Sequence, residues 1–290
     1  MIDSSTRVIH RNLDVDGVRV FYRESLPKRT DAPVLLLLHG FPSASHQFRR
    51  LIDVLGSRYR LIAPDCPGSG YTETPDRFVY SFDRLADVIE GFVQRLGLER
   101  FAMYVFDFGA PVGFRVAERH PEWISGLIVQ NGNAYAEGLG DALRQLVVLD
   151  PESPGTVDTV GSFMTAGATR GQYETGVPDP DLLDPDSWTL DQHFLDSPGR
   201  KDAQAALLFD YHSNVERYDR WQTWLRTHTP PTLVVWGRHD PFFTEPGAVA
   251  YLNDLPHAEL HLFDTGHFAL ETHLPRIAPL IADFLDRTTT

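Results

Sequence analysis

A chain of 290 residues, 42% of them hydrophobic, has room for one large α/β domain or for a core carrying an inserted lobe. Its 26 basic residues against 40 acidic ones leave a net charge of −14, which argues against nucleic acid or an anionic membrane as a partner. The single cysteine, Cys66, excludes an internal disulfide and a cysteine-based zinc site.

The opening residues, MIDSSTRVIH, lack the apolar core of a signal peptide, and VLLLL (34–38) is too short to span a bilayer. A cytoplasmic protein, monomer or homodimer, is therefore expected. GVRVFYRE (17–24) alternates like one strand of a hairpin, and VLLLLHG is the continuous apolar run of a central parallel strand. RLIAPD (60–65) reads as another strand, followed by the turn CPGSGY. Between Ser81 and Leu96, Leu85, Val88, Ile89, Phe92 and Leu96 recur at helical spacing. FAMYVF is the next strand, PVGFRVAERH the next helix, stopped before Pro121, and GLIVQN (126–131) a further strand. From about 134 to 225 the strand signal disappears into Pro- and Asp-rich stretches and aromatic helical patterns, too long for a loop. TLVVWG and AELHLF resume the strands, and LPRIAPLIADFL closes the chain as a helix. The expected class is α/β: a mostly parallel sheet flanked by helices, its core formed by 1–133 and 226–290, with a helical cap inserted over 134–225.

In open α/β sheets ligands bind beyond the carboxyl ends of the strands. Asp107 follows one such strand within YVFDFGAPVGF, a lone charge among four aromatics and two valines, where desolvation makes a carboxylate costly. Asp240 follows VVWG, and His267 follows HLFDTG. A lone aspartate before a helix is usually a cap, and a lone histidine a core residue; the ordered set acid, acid, histidine argues for chemistry instead.

With these motifs the sequence resembles the α/β-hydrolase superfamily, and within it the branch with an aspartate nucleophile: epoxide hydrolases and haloalkane or haloacid dehalogenases. HGFP (39–42) is similar to the oxyanion loop, and DCPGSGYT (65–72) to the D-x-P-G-x-G-x-S/T segment. WGRHDPF and DTGHFALE are similar to the segments carrying the triad acid and the histidine. The resemblance covers nearly the whole chain and implies the α/β-hydrolase fold. It also implies Asp107 as nucleophile, Asp240 as triad acid, His267 as general base, and the backbone N–H groups of Phe41 and Phe108 as oxyanion hole, with no cofactor and no metal. Val105 departs from the pattern, standing where the elbow G-x-[SD]-x-G has its first glycine; Gly109 keeps the second.

The chemistry fits an aspartate. A carboxylate is ionised at neutral pH and needs no base, and its natural target is an sp³ carbon bearing a leaving group. Attack on an ester carbonyl would give a reactive anhydride. An alkyl ester on Asp107 would be hydrolysed by water activated by His267. His39 reads as structural, His239 as a surface residue and Cys66 as packing. Asn131 and Asn133 follow a strand where some dehalogenases place their acid, but amides cannot replace it, which favours Asp240.

The leaving group separates the enzyme readings. Opening an epoxide releases an alkoxide that needs a proton, and such enzymes use lid tyrosines. Halide release needs N–H donors, typically a tryptophan directly after the nucleophile, where this chain has Phe108. Between Ala134 and Arg200 twelve acidic residues face three arginines and no lysine, a poor lid for anions. DYHSNVERY (210–218) resembles a lid helix with a catalytic tyrosine, making Tyr211 the first candidate acid and Tyr173 or Tyr218 the second. Trp188, Trp221 and Trp224 keep a dehalogenase open. The reading is a hydrolase of small apolar or neutral substrates, an epoxide hydrolase before a dehalogenase. A non-catalytic binding protein on the same fold is the further alternative.

Overall fold

The computed structural model describes residues 6–288. The chain opens with β1 (Val8–Val15) and β2 (Val18–Ser25), an antiparallel hairpin in which Val15 faces Val18. Asp16 and Gly17 both take positive φ (51° and 85°), as a two-residue turn matching the strand twist requires. Then come β3 (Val34–Leu38), α1 (Arg49–Leu55), β4 (Arg60–Pro64), α2 (Phe82–Arg95), β5 (Phe101–Phe106), α3 (Gly109–Arg119) and β6 (Ile124–Gln130). Between β6 and the next strand lie α4 (Asp141–Val147), α5 (Thr156–Ser162), α6 (Ala166–Glu174), α7 (Pro185–Leu195), α8 (Arg200–Phe209), α9 (His212–Val215) and α10 (Tyr218–His228). The chain ends with β7 (Thr232–Gly237), α11 (Glu245–Asp254), β8 (Glu259–Phe263) and α12 (Ala269–Thr288).

The strands form one eight-stranded sheet in the order β1-β2-β4-β3-β5-β6-β7-β8, parallel from β4 to β8. Both faces are covered, which is why the central strands are apolar at every position rather than at alternate ones. Leu36, Leu38, Met103, Val105, Val129 and Trp236 point to one core, packed against α2, α3 and α11. Leu35, Leu37, Tyr104, Phe106, Ile128 and Val235 point to the other, against α1 and α12. Ser81 starts α2 by accepting the Arg84 N–H at 3.2 Å, and Leu85, Val88, Ile89 and Phe92 are buried along one side of it.

Two features position the site. After β3 the chain adds β4 on one side, and later β5 on the other, so loops diverge at the β3/β5 boundary and leave a crevice at the strands' carboxyl ends. Val105, where a glycine was expected, is accommodated by Gly113 on α3. A Cβ there would stand 2.6 Å from Val105 Cγ1, so the valine fills space that Gly113 leaves open.

Candidate active site

Asp107 sits in the tight turn between β5 and α3 with φ of 48°, a left-handed conformation that lifts its side chain off the end of the sheet. It is buried and meets the loop after β3 at Gly40, where a Cβ would overlap the Asp107 carboxylate. That close approach lets the Phe41 N–H donate to Asp107 Oδ1 at 2.5 Å, and the Phe108 N–H also donates to the carboxylate. The two amides expected to form an oxyanion hole thus converge on one carboxyl group. Burial pushes its pKa up to about 6, opposed by the neighbouring His267 and by the Phe108 and Phe41 amides.

His267 comes from the loop after β8 and is fully buried. Its Nδ1 lies 2.6 Å from Asp240 Oδ2, and its Nε2, without another partner, faces Asp107 Oδ2 at 3.8 Å. Burial disfavours the charged ring, but the charge and hydrogen bond of Asp240, with Asp107 beyond, outweigh it and raise the pKa. The ring lies among Phe106, Phe242, Phe243 and Phe268, with centroids 4.6 to 5.9 Å away, an apolar cage that strengthens these interactions.

Asp240 is itself anchored. Oδ1 accepts the Phe242 N–H at 2.8 Å, and Oδ2 accepts Asn131 Nδ2 at 2.7 Å. Asn131, also at positive φ (42°), accepts the Gly237 N–H and donates to the Gly237 carbonyl, so it ties the end of β6 to β7 while gripping the acid. Sequence reasoning weighed Asn131 only as a replacement for the acid and missed it as the acid's partner. The signal was its place at a strand end beside a second asparagine.

Tyr211, at the start of α9, is buried with its ring beside Phe108, Phe82 and Phe243, and its phenol is within electrostatic reach of Asp107. Burial, then Tyr218 and Asp107, raise its pKa, so it holds its proton at neutral pH. Tyr218 adjoins it and accepts Asn133 Nδ2 at 3.0 Å. Tyr173 is the correction. Its hydroxyl donates to buried Asp191 at 2.5 Å and its ring stacks on Phe268 in the other core, so its proton is already committed. Trp221 spends its indole N–H on Glu118, Trp188 lies beside Tyr173 and under Arg170, and Trp224 packs between Phe114 and His228. Among the described residues no indole makes a ring contact with Phe108 or His267.

His39 is structural. Its Nε2 accepts the Cys66 N–H at 2.9 Å and burial lowers its pKa, so the neutral ring pins the loop after β3 to that after β4. His239 is at the surface with Asp264, and Cys66 is buried with its thiol pushed up to about 12, hence inert. Among the described residues no cluster suited to a metal ion and no helix long and apolar enough to cross a membrane is present.

The model of the α/β-hydrolase fold family matches residues 33–274, which span every one of these groups. The chain belongs to that family. An uncharacterised hydrolase of Saccharomyces cerevisiae, YNR064C, is 43% identical over 268 residues, 91% of this chain and 92% of its own length. Haloalkane dehalogenase 2 of Mycobacterium tuberculosis is 38% identical over 99 residues, about a third of each chain (34% and 35%). Among solved structures, the 2-hydroxy-6-oxo-6-phenylhexa-2,4-dienoate hydrolase of Rhodococcus sp. strain RHA1 superposes with a TM-score of 0.82 at 16% identity, covering 97% of this chain and 100% of its own. At that identity the likeness is one of fold.

Proposed function

We propose that this α/β-hydrolase converts epoxides of small neutral compounds to diols, with residues 134–225 as a lid over the site. Oδ1 of Asp107 is held by Phe41, leaving Oδ2 to attack an epoxide carbon. The ring C–O bond breaks, its electron pair goes to the epoxide oxygen, and Tyr211 supplies the proton. His267 then takes a proton from water as that water adds to Cγ of the Asp107 ester. The Phe41 and Phe108 amides hold the oxyanion, each worth about 3–4 kcal/mol in comparable sites. Collapse breaks the ester Cγ–O bond; the leaving alkoxide takes the remaining water proton from the new carboxyl group, which frees the diol and ionised Asp107, and the proton held by His267 restores Tyr211. The Asp107 charge lost to alkylation is one of those holding the His267 pKa up, so ester formation itself lowers that pKa and favours the neutral ring that can act as a base.

The observation that carries this reading is the buried Tyr211 phenol, whose ring centroid lies 5.9 Å from that of Phe108, the residue directly after Asp107, which has no side-chain donor. The dehalogenase match favours a second reading, halide release by the same first step. A panel of epoxides and bromides, with diol and halide both measured, decides between them. Multiple turnovers in ¹⁸O-water must label Asp107; label confined to product means direct attack by water and removes the covalent mechanism.

A further inference from the structure

Beside His267 a polar pair interrupts the apolar core. Gln130, the last residue of β6, and Tyr104 on the adjacent β5 are both buried, on the sheet face that packs against α1 and α12. One acceptor fixes the direction of their hydrogen bonds. Gln130 Nε2 lies 3.3 Å from the carbonyl oxygen of His267, and a carbonyl only accepts, so the amide nitrogen must face it. Gln130 Oε1 then accepts the Tyr104 hydroxyl. The same His267 carbonyl accepts the Ala269 N–H at 3.0 Å, which tightens the chain around Phe268 at the entry to α12. Earlier in this loop the Thr265 carbonyl accepts the His239 N–H at 3.0 Å and ties the loop to the end of β7. At His267 itself the tie to the sheet comes from Gln130.

A buried Tyr–Gln pair can be a piece of core structure and nothing more. Apolar side chains of like shape at both positions would then serve as well, because neither would leave an unpaired partner. The third member of the chain argues for another role. The His267 ring stands with Nδ1 2.6 Å from Asp240 and Nε2 3.8 Å from Asp107, and a misplacement of about 1 Å in such a group can cost about a hundredfold in rate. Holding the carbonyl holds the backbone from which that ring hangs. We propose that Gln130 is a positioning residue for ester hydrolysis: kept in orientation by Tyr104, it grips the His267 carbonyl and so sets where the imidazole stands between Asp240 and Asp107. This rests on the covalent reading of Asp107 and not on the leaving group, since an epoxide and a bromide both leave an ester on that carboxylate. Alkylation uses Asp107 Oδ2 and needs no base, so Gln130 acts on the second step. Its amide touches no reacting atom, and no proton passes through it.

Alkylation is followed by stopped-flow tryptophan fluorescence and ester decay by intact mass after acid quench. The probes are styrene oxide and 2-phenylethyl bromide at about pH 8, where Asp107 is ionised. Gln130→Met keeps an unbranched side chain and deletes both polar atoms. It should leave alkylation within about twofold and slow ester decay at least about tenfold. It also strands the Tyr104 hydroxyl, so its thermal midpoint should fall by about 2–8 °C. Adding Tyr104→Phe removes the stranded group: the midpoint should regain about half of that fall or more, while ester decay stays as slow. Tyr104→Phe alone should also lose stability, yet keep ester decay within about threefold, because Nε2 can still bond the His267 carbonyl. Ester decay that recovers with the midpoint in the double variant means a purely structural pair and overturns the proposal. Equal slowing of both steps by Gln130→Met overturns it too. A readout free of turnover is the far-downfield proton resonance of the His267–Asp240 bond, assigned by its absence in His267→Gln. It should shift or broaden in Gln130→Met and in the double variant, and hold its place in Tyr104→Phe; an unchanged resonance in the double variant refutes positioning. If neither probe alkylates the parent, the proposed covalent function fails, and this resonance still decides the role of Gln130.

Discussion

On the proposed mechanism, replacing His267 by Gln should separate the two halves of the reaction and move a titration in a direction that follows from the charges around Asp107. Alkylation requires an ionised Asp107, so its rate is full above the Asp107 pKa and is lost as pH falls through it. With that pKa raised to about 6 by burial, the parent should alkylate at about pH 5 roughly tenfold below its plateau, since only about a tenth of Asp107 is then ionised. An ordinary exposed carboxylate would remain more than about 90% ionised there. The His267 charge is the strongest influence holding the Asp107 pKa down against burial, stronger than the Phe108 and Phe41 amides. Gln cannot carry that charge, so the acid limb of alkylation should move above about pH 6 in the variant. Hydrolysis of the ester, which needs the base, should stall. Stopped-flow fluorescence between pH 4.5 and 8, with intact mass at each pH, reads both effects. An acid limb that stays put or moves down in the variant refutes the electrostatic account, and absence of an accumulating adduct refutes the role of His267.

Asp240→Asn should leave the alkylation burst visible and slow steady-state turnover by about 10³-fold or more, because the Asp240 charge and hydrogen bond orient the His267 ring. Asn131→Gly keeps the positive φ but deletes the carboxamide that bonds Asp240 and Gly237; it should cost about 1–3 kcal/mol in a denaturant titration and slow hydrolysis more than alkylation. Gly113→Ala should lower stability by about 1–3 kcal/mol, since its Cβ meets Val105 Cγ1 at 2.6 Å, and Gly113→Ala combined with Val105→Ala should recover part of that loss. Arg115→Ala should cost about 2–4 kcal/mol by thermal or denaturant unfolding: its buried guanidinium bonds Asn214 and Ser213 and lies over Phe82 and Trp221.

The strands were legible because burial on both faces writes them as uninterrupted apolar runs. FAMYVF and TLVVWG are β5 and β7 residue for residue. β1 carries no hydrophobic pattern because it is an edge strand exposed along much of VIHRNLDV; its one local signal is Asp16–Gly17, the turn that joins it to β2. α1 and α11 also went unread. Each is short, seven and ten residues, and α1 follows directly on a short 3₁₀ turn that blurs its start.

The site divides along the same physical line. Asp107, Asp240 and His267 each stand at the carboxyl end of a strand that hydrophobicity makes visible, so topology alone brings them together. Asn131 and Asn133 occupy equivalent positions, but what they do depends on which lone pair or N–H is left free by neighbours far away in sequence: Asp240 for one, Tyr218 for the other. An amide donates and accepts, and nothing local says which. The tyrosines fail for a related reason. Tyr173, Tyr211 and Tyr218 are all buried phenols in a helical segment, and only their neighbours tell them apart: Tyr173 donates to the Asp191 carboxylate, while the Tyr211 ring lies against Phe108, next to Asp107. Replacing Asp191 by Asn therefore discriminates between them. It should weaken the grip on Tyr173 and lower the unfolding midpoint, while the epoxide-to-bromide rate ratio set by Tyr211 stays within about twofold of the parent. A ratio that collapses would return Tyr173 to the reaction.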